Sequence, residues 1–252
     1  MKNSGAIRVG IGGWVFPPWR GTFYPKGLRQ AEELAYASRH VTAIEINGTF
    51  YRTQTPASFR KWRDETPDDF VFSLKGPRFL THRSELASAE PYMERFFHSG
   101  FLELGPKLGP ILWQFAPTTQ FQPVDFGGFL ALLPRQLEGQ ALRHVVEIRH
   151  PSFRCPEFFE LLRARQIAVA WVDDAKAPAF EELTADFAYL RLRRSSQEEE
   201  TGYPPAALAD WGERARGWAA EGRDCFLYFI NGAKVRAPAA AQALLERLQQ
   251  PG

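Results

Sequence analysis

The segment HVVEIRHPSF, residues 144–153, places charged side chains of opposite sign inside an otherwise apolar stretch. In a β-strand, Val146 and Ile148 share one face, so Glu147 and Arg149 share the other. An unpaired charge in a dry interior is costly. These two groups must therefore pair with each other or line a site that meets ligand and water.

The same alternation recurs in other apolar segments of the chain. Glu45 lies between two isoleucines, and Arg191 lies between two leucines. Polar residues at equivalent positions, late in their apolar segments, predict a ring of polar side chains at one end of a sheet or barrel. The inward set is Glu45, Asn47, Ser73, Lys75, Gln114, Glu147, Arg149, Asp173, Tyr189, Arg191, Arg193 and Asn231.

Short apolar segments alternate with helical patterns along the whole chain, which is typical of parallel βα units. Strands are predicted at 7–14, 41–50, 70–76, 110–116, 144–150, 167–173, 187–193 and 225–231. Helices are predicted at 30–39, 56–65, 91–104, 126–137, 155–165, 207–221 and 237–248. Eight regular units favour a single α/β domain, a (β/α)8 TIM-type barrel over residues 1–252, rather than an open doubly wound sheet.

The composition is that of a globular chain without extreme charge. Of its 252 residues, 44% are hydrophobic and 24% are charged, with a formal net charge of +2, which neither favours nor excludes nucleic acid as a ligand. Cys155 and Cys225 have no metal or redox spacing, and the first residues lack the apolar run of a signal peptide. We therefore expect a reduced, cytoplasmic protein that does not enter a membrane.

Glu45 and Glu147 are the first candidates for acid/base chemistry, because two carboxylates at one barrel mouth can have their pKa values driven apart. The same pair could cleave glycosides, or simply neutralise the inward cations as a salt-bridge layer. Lys75 could act as a general base or form a Schiff base. Pairing of Lys75 with a glutamate is the competing structural interpretation.

His82 and His150 follow the third and fifth strands, where a histidine could transfer a proton. Together with Glu147 and Asp173 they could hold one divalent metal ion, although five histidines in the whole chain offer few ligands. Alternatively, both histidines hold loop backbones in place. We expect no resident cofactor, with His150 a catalytic candidate and His82 a ligand-binding candidate.

The segments after the seventh and eighth strands carry groups that suit an anion. Arg191, Arg193 and Arg194 precede two serines, and Asn231 and Lys234 lie in NGAKVRAP. Barrels often bind phosphate after these two strands. The alternative is a solvated loop in which the arginines pair with the neighbouring EEE segment.

Trp14 and Tyr51 belong to a group of aromatic residues in the loops after the first two strands. Rings at a barrel mouth can stack on sugars or on unpaired bases. The alternative is a small satellite core that closes the rim. The full group is Trp14, Phe16, Trp19, Phe23, Tyr24, Phe50 and Tyr51.

Five stretches of the chain together resemble the YecE-like proteins, the domain-of-unknown-function family numbered 72. They are IGGWVFPPWRGTFYP, AIEINGTFYRTQTPASFRKWRDETPDDFVFSLKGP, LTH, GPILWQF and VEIRHPSF. The resemblance spans nearly the whole chain and implies a TIM-type barrel without an established activity. The family commonly has His-Gly where Arg193 and Arg194 stand, paired asparagines where Ile230 and Asn231 stand, and a tryptophan near Phe180. These late loops are therefore expected to set the ligand choice.

We expect an enzyme, a hydrolase, lyase or isomerase, that acts on a small anionic ligand such as a phosphorylated sugar or a nucleotide-like molecule. Arg149 and Arg191 would stabilise developing negative charge, and Asn47 and Gln114 would help to bind the substrate. Two alternatives stay open at this point. One is a nucleic-acid-binding protein or a metal-assisted phosphoesterase resembling the barrel endonucleases, and the other is a non-catalytic scaffold.

Overall fold

Eight parallel strands form the centre of the computed structural model, which describes residues 4–174 and 178–250. Each strand is a short run rich in β-branched and aromatic residues, as strands buried on both faces require. The strands are β1 (Ile7–Gly12), β2 (Ala43–Ile46), β3 (Val71–Lys75), β4 (Leu108–Gln114), β5 (His144–Glu147), β6 (Ala168–Val169 and Trp171–Asp173), β7 (Phe187–Leu192) and β8 (Asp224–Phe229).

Strand β6 closes the barrel, because its two segments pair with different neighbours. Ala168–Val169 pairs with β5, and Trp171–Asp173 pairs with β7. Between them, the Ala170 amide donates a hydrogen bond to the Val146 carbonyl at 2.8 Å. Every other strand pairs in parallel with the strands before and after it in the chain, and β1 pairs with β8. The predicted (β/α)8 TIM-type barrel is confirmed.

Helices connect the strands and cover the outside of the barrel. They are α1 (Glu33–Ala37), α2 (Gly48–Tyr51), α3 (Pro56–Asp64), α4 (Arg78–Thr81), α5 (Glu90–Phe97), α6 (Pro123–Ala131), α7 (Pro156–Arg165), α8 (Pro205–Ala220) and α9 (Ala237–Gln249). Several begin with proline in the first turn, where the missing amide hydrogen would have no intrahelical partner. Over residues 4–174 and 178–250, no helix has the length and apolar character needed to cross a bilayer.

Three predicted helices are shorter than their apolar patterns indicate. The prediction at 30–39 divides into a 3-10 turn, Gln30–Glu32, and α1. The prediction at 91–104 divides into α5 and a 3-10 segment, Phe101–Lys107, because Gly100 adopts a φ of 90°, which few residues but glycine tolerate. The prediction at 126–137 ends with α6 at Ala131. Pro134 cannot continue a helix, and residues 136–141 instead form a two-stranded hairpin.

Strands β2 and β5 end three or four residues before their predicted last residues, more than any other strand, and this places polar residues in the mouth of the barrel. Strand β2 ends at Ile46 because α2 begins at Gly48, and β5 ends at Glu147. Asn47 and Arg149 therefore lie in the loops at the carboxyl ends of the strands rather than inside the sheet.

The barrel interior has two chemically different layers. The amino-end layer is apolar, whereas the charged and amide side chains lie toward the carboxyl ends of the strands, where barrel enzymes place their sites. The buried residues of the apolar layer include Ala43, Leu112, Val145, Ala168, Val172, Phe187, Phe226 and Tyr228.

Candidate active site

Arg191 connects two fully buried carboxylates at the centre of the barrel. Its guanidinium donates to Glu45 through Nε at 2.9 Å and Nη2 at 2.8 Å, and Nη1 donates to Glu147. Both glutamates have no exposed surface, and Arg191 is 3% exposed. Burial disfavours the charged guanidinium, but the two carboxylates outweigh burial and raise the pKa of Arg191. The central group is thus a Glu–Arg–Glu triad in which Arg191 stays charged.

Neighbouring strands satisfy the remaining oxygens of the triad. The amide of Gln114 and Nε of Arg149 donate to Glu147 at 2.9 and 2.8 Å, and the Tyr189 hydroxyl donates to Glu45 at 2.9 Å. Burial alone would raise the pKa of Glu147. The charges of Arg191 and Arg149 outweigh it and lower the pKa to about 2. Glu147 is therefore ionised at neutral pH and holds its arginines in place.

Lys75, at the end of β3, is the exception among the buried charges. It is 6% exposed, and its ammonium lies 3.8 Å from the centre of the Phe50 ring. Within the described ranges, no oxygen accepts a hydrogen bond from it and no carboxylate lies within 4.0 Å. Burial, and to a smaller extent the charge of Arg191, lowers the pKa of Lys75 to about 8. The expected pairing with a glutamate does not form.

A cavity of about 520 Å³ opens above the triad, within the size range of small-molecule sites. Its wall carries six cationic side chains, and in the part of the chain that the structure describes none of the lining residues is acidic. Glu45 and Glu147 lie beneath this wall rather than on it. The lining residues are Gly12, Asn47, Phe50, Tyr51, Lys75, Arg78, His82, Gln114, Arg149, Arg191, Arg193, Ile230, Asn231 and Lys234.

The loops after β7 and β8 contribute Arg193 and Asn231 to the cavity. Arg193 forms an ion pair with Asp174 at 3.0 Å, and the Asn231 amide oxygen accepts from its Nε and Nη2 at 3.1 and 2.9 Å. Asn231 has a φ of 58°, and next to it the Ala233 amide donates to the Ser195 carbonyl at 2.7 Å. The two loops are thus fastened together, with Arg193 directed to the cavity.

Arg194 and Asp173 lie outside the cavity wall. Asp173 accepts a hydrogen bond from the Tyr203 hydroxyl at 3.2 Å, and Arg194 lies 3.6 Å from the same carboxylate. Asp173, a candidate for substrate binding, therefore joins the loop after β7 to the end of β6.

Arg78 and His82 belong to the cavity, and only the histidine was expected there. They lie four residues apart, at the two ends of α4, and Arg78 Nε donates to His82 Nδ1 at 3.3 Å. Burial and the Arg78 charge lower the pKa of His82. Its Nε2 is buried without a partner among the described residues. The four-residue spacing in PRFLTH was the one sequence signal for Arg78, because residues at this spacing share a helix face.

His150 caps a turn, and the four residues that the sequence offered as an alternative metal set do not form such a group among the described residues. The His150 ring accepts from the Ser152 amide at 3.2 Å, which caps a short 3-10 turn, Pro151–Phe153. His150 does not line the cavity above the triad. Over residues 4–174 and 178–250, no three histidine, cysteine, aspartate or glutamate side chains form a group that could hold a metal ion.

The aromatic residues after the first two strands divide into a core and a rim. Trp19 and Tyr24 are buried, and Trp19 packs edge-to-face against Phe16 and Phe23. These rings form the satellite core. Tyr51, by contrast, is 75% exposed at the cavity edge, and Trp14 lines a neighbouring cavity.

A closed parallel barrel, here with a cation-lined cavity at the carboxyl ends of its strands, is the architecture of a TIM-type barrel protein. The chain belongs to the family described as "Protein of unknown function DUF72", which matches residues 8–252. The YecE-like resemblance is thereby confirmed.

Similar proteins come from several bacteria. UPF0759 protein YecE of Escherichia coli K12 is 31% identical over 150 residues, 58% of this chain and 50% of the relative. UPF0759 protein YunF of Bacillus subtilis is 25% identical over 171 residues, 66% and 58% of the two chains. The alignment thus spans about half the length of these curated relatives.

The fold is shared with solved structures of the same family. The crystal structure of a DUF72 family protein from Thermotoga maritima is 25% identical, with a TM-score of 0.81 over 97% of this chain and 100% of that chain. A DUF72 family protein from Enterococcus faecalis, 16% identical, has a TM-score of 0.73 and covers 100% of both chains, which shows the shared fold alone.

Proposed function

We propose that this protein is an enzyme that binds a small phosphorylated substrate in the cation-lined cavity and moves a proton with Lys75. The observation that carries the proposal is the Lys75 ammonium, which is buried, lacks an oxygen partner in the described part of the chain, and lies in a wall without carboxylates. A buried charge of this kind is costly unless a counterion completes it.

The cavity charges support an anion as that counterion. The triad carries two negative charges and one positive charge, and Arg149 and Lys75 bring the buried group to a net charge of +1 when Lys75 is protonated. Arg78, Arg193 and Lys234 add positive charge at the wall, and Asp174 offsets Arg193. Phosphate offers several oxygens to arginine and lysine donors at once, which suits a wall of this composition.

The lowered pKa of Lys75 supports proton transfer. A pKa of about 8 lies near neutral pH, where a group can both give and take a proton at useful rates. Arg149 and Arg191 would then stabilise the negative charge that develops on the substrate. Such chemistry is that of an isomerase or lyase acting beside a phosphate group.

In this proposal Glu45 and Glu147 are positioning residues rather than the acid/base pair. Each oxygen of the two carboxylates is bonded to an arginine, a tyrosine or an amide. A carboxylate whose pKa is lowered to about 2 is a weak base at neutral pH. Their role is to hold Arg191 and Arg149 at the cavity.

The test uses phosphorylated compounds of different classes with the wild-type protein, Lys75→Arg and Lys75→Met. Calorimetry measures binding. NMR measures exchange of carbon-bound hydrogens of the compound with deuterated solvent, which detects proton transfer whatever the overall reaction is. We expect Lys75→Met to lower affinity at least about tenfold. Lys75→Arg is expected to keep most of the affinity and lose the exchange.

Lys61→Met is the matched control, because Lys61 is an exposed lysine on α3. It should leave both measurements unchanged. Phosphate binding that survives Lys75→Met at wild-type affinity would contradict the proposal, as would solvent exchange that persists in Lys75→Arg.

A further inference from the structure

A second chamber adjoins the cation-lined cavity at the ends of β1 and β2. Its volume is about 350 Å³. The two spaces share Gly12, Asn47 and Lys234 as wall residues. The cavity and the chamber therefore adjoin at these three residues.

The chamber differs from the cavity in chemistry. The rings of Trp14 and Trp62 meet edge-to-face at 5.2 Å, and Val15, 47% exposed, continues this apolar surface. The side-chain amides of Asn47 and Gln54 also line the space. Arg52 and the shared Lys234 are the two cations among the described lining residues of the chamber, against six in the cavity. Aromatic surface combined with amide donors and acceptors suits a planar ring with polar edges.

Gly12 lies at the boundary between the two spaces, where neighbouring side chains pack closely against its backbone. A Cβ atom at this position would lie 2.7 Å from Cγ2 of Ile230 and 3.2 Å from Nδ2 of Asn47. Any side chain here would therefore press on a residue of the cavity wall. The absence of a side chain at position 12 lets Ile230 and Asn47 keep their places where the cavity and the chamber adjoin.

We propose that the chamber takes the planar heterocycle of a ligand whose phosphate occupies the cation-lined cavity, so that the substrate class is a mononucleotide. This inference rests on the proposed function, since it assigns the phosphate to the same cavity. A sugar phosphate would fill the cavity and leave the tryptophan-lined chamber empty. A nucleoside would fill the chamber and leave Lys75 without an anion.

Four probes test the assignment in calorimetric titrations at low salt: inorganic phosphate, ribose 5-phosphate, adenosine and adenosine 5′-monophosphate. We expect the nucleotide to bind at least about tenfold more tightly than ribose 5-phosphate, since ring contacts with aromatic side chains add affinity. Equal affinity of these two probes would overturn the inference.

Gly48 lines the chamber and does not line the cavity, so Gly48→Leu adds a side chain to the chamber. A Cβ at Gly48 meets only Nε2 of Gln54 at 3.5 Å and Cγ2 of Ile46 at 4.0 Å, both ordinary contacts. We expect this variant to bind the nucleotide no more tightly than ribose 5-phosphate. Gly217→Leu is the matched control, because Gly217 lies exposed on α8 with no atom near its Cβ.

Val15→Phe is an independent way to narrow the chamber, and it should reduce the same nucleotide preference. If neither variant changes that preference, the chamber does not hold the ring and the inference is overturned. If ribose 5-phosphate binds but the nucleotide is not preferred, only this inference fails. If no phosphorylated probe binds, the proposed function fails with it.

Discussion

Two lysines are buried in this barrel to the same extent, and their surroundings are opposite. Lys107 precedes β4 at the amino end and is 5% exposed. Its ammonium donates to the carbonyls of Arg63 and Thr66 at 2.6 and 2.7 Å, and to the Thr66 hydroxyl at 3.2 Å. Three oxygens thus replace the water that this lysine loses on burial.

Lys75 lies at the carboxyl end of β3 and is 6% exposed, but it faces an aromatic ring and a cavity. The two lysines show that a charge held by the fold differs from one available to a ligand in whether its donors already have acceptors. Where every donor has an acceptor, the charge is part of the fold. Where the donors face a cavity instead, the charge is free to bind an anion.

The largest effect is expected from Lys107→Met. The substitution keeps the side-chain length but removes the ammonium that donates to the carbonyls of Arg63 and Thr66, so we expect the free energy of unfolding to fall by about 3 kcal/mol. Urea denaturation measures it. Phosphate binding should not change. A loss within the range of an exposed control, Lys61→Met, would mean that the oxygens around Lys107 are solvated by water and that the comparison is wrong.

Glu147→Gln is expected to lower the free energy of unfolding somewhat less. In the triad, as around Lys107, every donor and acceptor atom already has a partner, so the substitution removes a contact that stabilises the fold. The pKa of Glu147 is lowered from an ordinary 4.5 to about 2, so its stabilising contribution is present above pH 4.5 and is lost as the pH falls toward 2. We expect the variant to be less stable at pH 7 by about 2 kcal/mol. The deficit should shrink in acid.

Urea denaturation of both proteins across pH 2–7 measures this difference. Glu221→Gln, a substitution at an exposed carboxylate, is the control. A stability deficit that stays constant from pH 7 to pH 2 would show that Glu147 does not titrate as the triad requires.

The sequence predicts the polar ring, because alternation in a strand has a period of two. Glu45, Lys75, Gln114, Glu147 and Arg191 all share the inner side of predicted strands, and the structure brings these five side chains together. Which charges pair within the ring depends on the stagger between neighbouring strands of the closed barrel. A single chain sequence does not contain that stagger, so it led us to expect Lys75 to pair with a glutamate.

The loops were predicted less well, because their geometry depends on contacts between distant segments. His150 precedes the short PSF turn and caps it, which sequence position alone does not separate from a catalytic role. Arg78 was missed because α4 is a single turn whose orientation follows from packing on β4 rather than from its own four residues. Trp14 and Trp19 are five residues apart, yet one lines a chamber and the other is core.

Lys75 is expected to make the stability of the folded protein rise at alkaline pH. Burial lowers the pKa of Lys75 to about 8 from an ordinary 10.5, so the unfolded chain binds one more proton than the folded protein between these values. Stability conferred by this residue must therefore rise with pH from about 8 to 10.5. We expect wild type to gain about 2 kcal/mol relative to Lys75→Met across this window.

Urea denaturation at several pH values measures the gain, and subtraction of the Lys75→Met curve removes the titration of other lysines and tyrosines. A difference curve that is flat from pH 8 to 10.5 would mean that Lys75 has an acceptor as good as those of Lys107.

The smallest expected effect is the stabilisation of the protein by bound phosphate, which should require Lys75 and not Lys107. An anion that binds only the folded protein raises its stability by mass action, by about 1.4 kcal/mol at ten times its dissociation constant. We therefore expect inorganic phosphate, compared with chloride at equal ionic strength, to stabilise wild type and Lys107→Met alike. It should not stabilise Lys75→Met. Because equal ionic strength cancels general screening, any remaining difference reports a bound ion.

If phosphate stabilises Lys75→Met as much as wild type, the anion binds away from Lys75, and the ammonium of Lys75 is not its binding group.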